Sequence, residues 1–112
     1  MNCKNLISLK GAPKEVGGDF ECGYCPKLTS LEGAPEKIGK DFDCGYCTEL
    51  KSLKGIPKII PANFYCTNCF ELKSLRGAPK EVGGCFDCRY CDRWFDNDDV
   101  KKVSKVKGII LV

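Results

Sequence analysis

Apolar residues recur along this chain in two alternating rhythms. From Phe20 to Cys22 they take every second position, with Asp19, Glu21 and Gly23 between them, the period of a short strand with one buried face. Cys25, Leu28 and Leu31 follow at three-residue steps, which suits a tight turning path that keeps returning side chains to one interior. Gly33-Ala34-Pro35 then reads as a turn, because glycine can take positive φ and proline fixes φ while donating no hydrogen bond. Ile38 brings an apolar side chain back inside before the next strand begins.

This unit repeats at a step of 22 residues. The triplet Phe20/Cys22/Cys25 returns as Phe42/Cys44/Cys47, Phe64/Cys66/Cys69 and Phe86/Cys88/Cys91. Leu28, Leu50 and Leu72 keep the same step, as do Leu31, Leu53 and Leu75, and Val16, Ile38, Ile60 and Val82. A copy lacking its front opens the chain with Cys3, Leu6, Leu9, Gly11 and Pro13. A constant period of this size without insertions marks a solenoid, since each coil must stack in register on the next. One coil cannot bury enough apolar surface to stand alone, so several must stack and the ends need covering.

The predicted architecture is a repeat solenoid over residues 1–91, with short parallel β-strands on one face and turns or 3₁₀ pieces on the other. Residues 92–112 break the period and read as a C-terminal cap within the same single domain. Trp94 and Phe95 supply bulk, and Asn97 or Asp98 is a candidate N-cap. Acidic residues follow in the first turn and lysines gather later, as the helix dipole favours. Val100, Val103 and Val106 form an apolar stripe, so a helix is expected over about 97–107, with Gly108 as its stop and a short strand over about 109–112. The N-terminal end has no comparable cap and is expected to be frayed or open to contact.

The pattern F-x-C-x-x-C-x-x-L-x-x-L resembles the leucine-rich repeat in its cysteine form. Phe20 and Cys22 match the two strand leucines, Cys25 the position usually held by Asn or Cys, and Leu28 and Leu31 continue the scaffold. The resemblance covers residues 3 to about 91. The chain departs from it with Gly17, Gly39, Pro61 and Gly83 at the first leucine position, and with its S-L-x-G-x-P return. The wording S-L-x-G-A-P-K-E-V-G-G-x-F-x-C is also similar to short leucine-rich-like proteins of bacteriophage and bacterial genomes. The resemblance implies a non-catalytic protein-binding module that uses its exposed sheet, in one version a phage-encoded protein that inhibits or redirects a host defence factor.

Ten cysteines in 112 residues would ordinarily suggest a secreted disulfide scaffold. Here nine of them fall in two repeat columns alongside Phe and Leu, which a disulfide framework has no reason to impose. The first residues lack the apolar stretch of an export signal, and no run is long enough to span a bilayer, so a reduced cytoplasmic protein is expected. Cys22-x-x-Cys25 and Cys44-x-x-Cys47 also match the spacing of a four-cysteine zinc site. A zinc module and a purely structural repeat are therefore the alternatives to a binding module with buried cysteine rungs and no cofactor. Cys85 lies outside both columns and is expected to face outward. Absence of histidine removes Cys-His and Ser-His chemistry, and no phosphate-binding loop is present, so no catalytic residues are assigned.

The columns between the buried rungs are the candidate binding surface. One holds Asp19, Asp41, Asn63 and Cys85; the next Glu21, Asp43, Tyr65 and Asp87; then Gly23, Gly45, Thr67 and Arg89; then Tyr24, Tyr46, Asn68 and Tyr90. Five carboxylates stand in the first two columns and three tyrosines in the last, a composition suited to a partner protein with a basic surface. The candidate partner-binding residues are Asp19, Glu21, Tyr24, Asp41, Asp43, Tyr46, Tyr65, Asp87, Arg89 and Tyr90. The net charge of +3 is too mild to argue for nucleic acid. The lysines of the return path are interspersed with Glu15, Glu32, Glu36 and Glu81 and have few aromatic companions for stacking, which also argues against it.

Overall fold

Every second residue of the F-x-C segment is drawn inward, and the result is a stack of parallel strands at the repeat step. The computed structural model describes residues 5–91 and 95–112, so the expectations placed on Cys3 and Trp94 lie outside the described residues. Each coil contributes two short strands. The return strands are β1 (Glu15–Val16), β3 (Lys37–Ile38), β5 (Ile59–Ile60), β7 (Glu81–Val82) and β9 (Lys105–Val106). The front strands are β2 (Phe20–Glu21), β4 (Phe42–Asp43), β6 (Phe64–Tyr65), β8 (Phe86–Asp87) and β10 (Ile110–Leu111). A single helix, α1 (Asn97–Val103), precedes β9.

The front strands form one parallel sheet in the order β10-β8-β6-β4-β2, with Phe20, Phe42, Phe64 and Phe86 in register. Their rings run up the core at centroid spacings of 5.4, 6.1 and 4.9 Å. Cys22, Cys25, Cys44, Cys47, Cys66, Cys69, Cys88 and Cys91 are all buried with the leucine columns, the return-strand residues Ile38, Ile60 and Val82, and Phe95 and Val100 of the cap. The architecture is thus a parallel-strand solenoid of about four turns with one C-terminal helix.

The return face holds the expected turns and, in place of 3₁₀ pieces, a second ladder of two-residue strands. That ladder is split into β1-β3 and β5-β7-β9. The break falls at Pro61, which occupies the column of Gly17, Gly39 and Gly83. Gly83 N donates to Ile60 O at 2.8 Å and Lys107 N to Val82 O at 3.0 Å, Gly39 N reaches Gly18 O at 3.2 Å, and Pro61 has no N–H to give.

The cap differs from its sequence reading in three ways. The N-cap is Asp96, neither Asn97 nor Asp98, because Asp96 completes a capping box: its carboxylate accepts from Asp99 N at 2.8 Å, and its own N–H donates to Asp99 Oδ2 at 2.9 Å. The helix ends at Val103 instead of near residue 107. Lys105–Val106 extends to pair with β7, Val106 lying opposite Val82, so Val106 reaches the core from a strand. Gly108 is a stacking residue, with its N–H donating to Gly84 O at 3.0 Å, and the final strand is Ile110–Leu111 beside Phe86–Asp87. The cap is therefore a last coil lengthened by two residues, its helix standing where a leucine turn would run.

Candidate functional site

Two columns of thiols are absorbed by the core. Cys47, Cys69 and Cys91 each donate through Sγ to the carbonyl of the cysteine 25 residues earlier, at 3.1, 3.3 and 3.2 Å. Burial pushes the Cys22 thiol well up and raises those of Cys47 and Cys88 to about 12, so these sulfurs stay protonated and unreactive. Among the described residues no group of three or more Cys, Asp or Glu is placed to hold a metal ion. Cys85 is half-buried. Brief exposure of the native protein to iodoacetamide is therefore expected to modify Cys85 first among cysteines 22–91, as read by peptide mass mapping. Equal labelling of Cys47 or Cys69 under native conditions would contradict the buried ladder.

The outermost acidic column does structural work. Asp19 Oδ1 accepts from Asp41 N at 2.9 Å, Asp41 Oδ1 from Asn63 N at 2.8 Å, and Asn63 Oδ1 from Cys85 N at 2.8 Å. Each side chain thus ties its own coil to the backbone of the next. Periodicity placed these residues correctly, but the 22-residue reach from side chain to N–H was not readable from it.

In the next column Glu21 is exposed and Asp43 and Tyr65 are half-buried. Asp87 departs from its expected exposure. It is 3 % exposed, flanked by Leu111 of the cap strand, and covered by Arg89. Arg89 Nε donates to Asp87 Oδ1 at 3.0 Å and Nη2 to Oδ2 at 2.8 Å, a bidentate pair. Asp43 occupies the same place two coils away, but Gly45 stands where Arg89 would be. Its Oδ1 accepts the Gly45 N–H, at 2.8 Å.

Burial lifts the Asp43 carboxyl above its ordinary value of 3.8, the Gly45 hydrogen bond pulls it down, and the charge of Glu21 pushes it up. The folded chain therefore takes up this proton before the unfolded chain does. Asp43 is a cost at neutral pH, relieved as pH falls from its raised value toward 3.8. Asp43→Asn keeps an acceptor for Gly45 N–H and is expected to be at least as stable as the parent in urea at neutral pH. The parent should gain on the variant as the pH is lowered toward 4, and a difference independent of pH would refute the assignment.

The tyrosine column turns the corner out of each front strand. Tyr24, Tyr46, Asn68 and Tyr90 have φ of 57, 59, 56 and 63°, the left-handed region that tyrosine seldom enters and asparagine enters readily. All three tyrosines are exposed, at 54, 42 and 62 %. Tyr24 and Tyr46 stack at 4.7 Å with their planes 6° apart. Sequence reasoning found this column but not its conformation, whose only sequence hint is Asn68. Tyr24, Tyr46 and Tyr90 line a cavity of about 210 Å³ together with Asp43, Tyr65 and Asp87, with Thr67, Asn68 and Arg89 at its third and fourth coils. Asp19, Glu21 and Asp41 lie outside it.

No helix among the described residues is long and apolar enough to cross a membrane. No family model matches this chain, and no match to it was found among curated proteins or solved structures.

Proposed function

We propose that this protein is a non-catalytic protein-binding module that holds a basic partner surface against its front sheet, along the edge formed by Tyr24, Tyr46 and Tyr90. The observation that carries this reading is the tyrosine column: three large aromatic side chains are kept exposed at a left-handed corner that costs each of them about 1 kcal/mol. Solvation alone would be met more cheaply by asparagine or glycine, as Asn68 demonstrates in the same column. The half-buried carboxylate of Asp43 behind them supplies the complementary charge. In the finer form suggested by the leucine-rich-like repeat wording, the partner is a host factor that a phage-encoded protein inhibits or redirects in the host cytoplasm.

The test is affinity capture from a lysate of the source's cellular background, with the parent protein beside a Tyr24→Ser, Tyr46→Ser, Tyr90→Ser variant. All three rings are exposed and fill no core position, so the variant should fold. A protein retained by the parent, released by about 0.5 M salt, and absent from the variant's eluate is the expected result. Equal retention by both would end the reading. Asp87→Lys is unsuitable as a surface probe, because it would place a lysine at a buried position and break the bidentate pair with Arg89.

A further inference from the structure

The tyrosine stack has one ring missing. Tyr24 and Tyr46 lie face to face at 4.7 Å, Tyr90 stands two coils beyond Tyr46, and the coil between them carries only Asn68. Strands one coil apart are separated by about 4.8 Å, so Tyr46 and Tyr90 stand about 10 Å apart along the stack. A flat group inserted midway would meet each ring at nearly the spacing that Tyr24 and Tyr46 already keep. The cavity that runs along this column is about 210 Å³, open to solvent, and its lining includes Tyr46, Asn68 and Tyr90 together with Asp43 and Tyr65.

Charge selects among flat groups. Among the described residues the charged side chains lining the cavity are Asp43, Asp87 and Arg89, and Arg89 is paired with Asp87, which leaves the Asp43 carboxylate for a ligand. A planar cation fits, whereas a nucleotide would bring phosphate toward Asp43 and the neighbouring Asp41. The fourth coil supplies an internal precedent: a guanidinium lies in this trough, bidentate on the aspartate of the same column. In the second coil the aspartate is present and the arginine is replaced by glycine. We propose that the space between Tyr46 and Tyr90, above Asn68, takes the guanidinium of an arginine on the partner protein, stacked between the tyrosine faces with one edge toward the Asp43 carboxylate. Guanidinium is flat and weakly hydrated, so it can stack between two ring faces while its edge meets a carboxylate, whereas an ammonium is a compact, strongly hydrated charge that does not fill a flat slot.

This inference rests on the front-face reading of function and narrows it to one residue type. The probe is acetyl-Gly-Arg-Gly-amide, titrated against the protein while the ring proton resonances of Tyr46 and Tyr90 are followed by NMR. Saturable shifts of both rings are expected, with the lysine peptide at least tenfold weaker. Asn68→Tyr places the chain's own ring in the gap, at a φ its tyrosine neighbours already hold, and should abolish the shifts; Asn68→Ser should preserve them. Asp43→Asn should weaken binding about tenfold, as loss of a charge-assisted contact does. Equal response to the lysine peptide, undiminished binding by Asn68→Tyr, or tighter binding of uridine monophosphate than of the arginine peptide would each overturn the proposal. In lysate capture, a partner kept by Asn68→Tyr but lost by the triple serine variant would remove the arginine site and leave the front-face reading standing. A partner kept by both would remove the front-face reading itself.

Discussion

Phe64→Ala is expected to cost about 3–5 kcal/mol, a large part of the roughly 5–15 kcal/mol that holds a domain of this size folded. Phe64 is fully buried, with Phe42 at 6.1 Å below it and Phe86 at 4.9 Å edge-on above. Truncation deletes a whole ring from a column that neighbouring rings cannot fill, since their coils are pinned by hydrogen bonds such as Phe64 N to Cys85 O at 2.9 Å. Position in the stack enlarges the effect. In a quasi-one-dimensional array a weak middle coil loses its interfaces on both sides, whereas a weak terminal coil loses only one. Phe20, partly exposed and in the first full coil, is therefore the matched control, and Phe20→Ala should cost about half as much or less. Urea midpoints followed by circular dichroism decide the matter. A Phe64→Ala loss under about 1 kcal/mol, or one equal to that of Phe20→Ala, would mean that the phenylalanine column is not the principal support of the stack.

The front of the molecule was legible in the sequence because period-2 alternation and a fixed step together leave a single register. Phe20, Phe42, Phe64 and Phe86 stand opposite one another as the repeat requires, and the paired cysteines are buried rungs. Three things were hidden. The exposure of a strand residue depends on what lies over it, and Asp87 is covered by an arginine two residues away and a cap strand 24 residues away. The role of Asp19 and Asp41 depends on a bond to the next coil, which no local pattern encodes. The left-handed corner was masked by its occupant, since Tyr24, Tyr46 and Tyr90 are poor predictors of positive φ. The helix end was misplaced for a related reason. Val103 and Val106 satisfy helical spacing, but a free strand edge at β7 competes for Lys105–Val106 and wins.

Gly39→Ala should be nearly as damaging as loss of a core ring, at about 2–4 kcal/mol, although it adds one methyl group at an exposed position. A Cβ at residue 39 would stand 2.0 Å from Gly17 O and 2.6 Å from Gly17 C. Both are backbone atoms of the preceding coil, so relief requires the coils to part. Gly83 is placed the same way, 2.1 Å from Pro61 O. Two residues of the same column act as controls supplied by the chain. A Cβ on Gly17 would meet nothing within 4 Å, so Gly17→Ala should be neutral or stabilise by up to about 1 kcal/mol through the unfolded chain. Pro61 carries a ring in this column, and the return ladder is open there, between Lys37–Ile38 and Ile59–Ile60. Gly39→Ala should reproduce that opening one coil earlier, between Glu15–Val16 and Lys37–Ile38. The Glu36 and Lys37 amides, bonded to Lys14 O at 2.8 and 3.2 Å, would then lose protection in hydrogen exchange, while the Lys80 and Glu81 amides, bonded to Lys58 O, would keep theirs. Unchanged protection at Glu36 and Lys37 in the alanine variant would show that the coils are not held at the spacing these glycines imply.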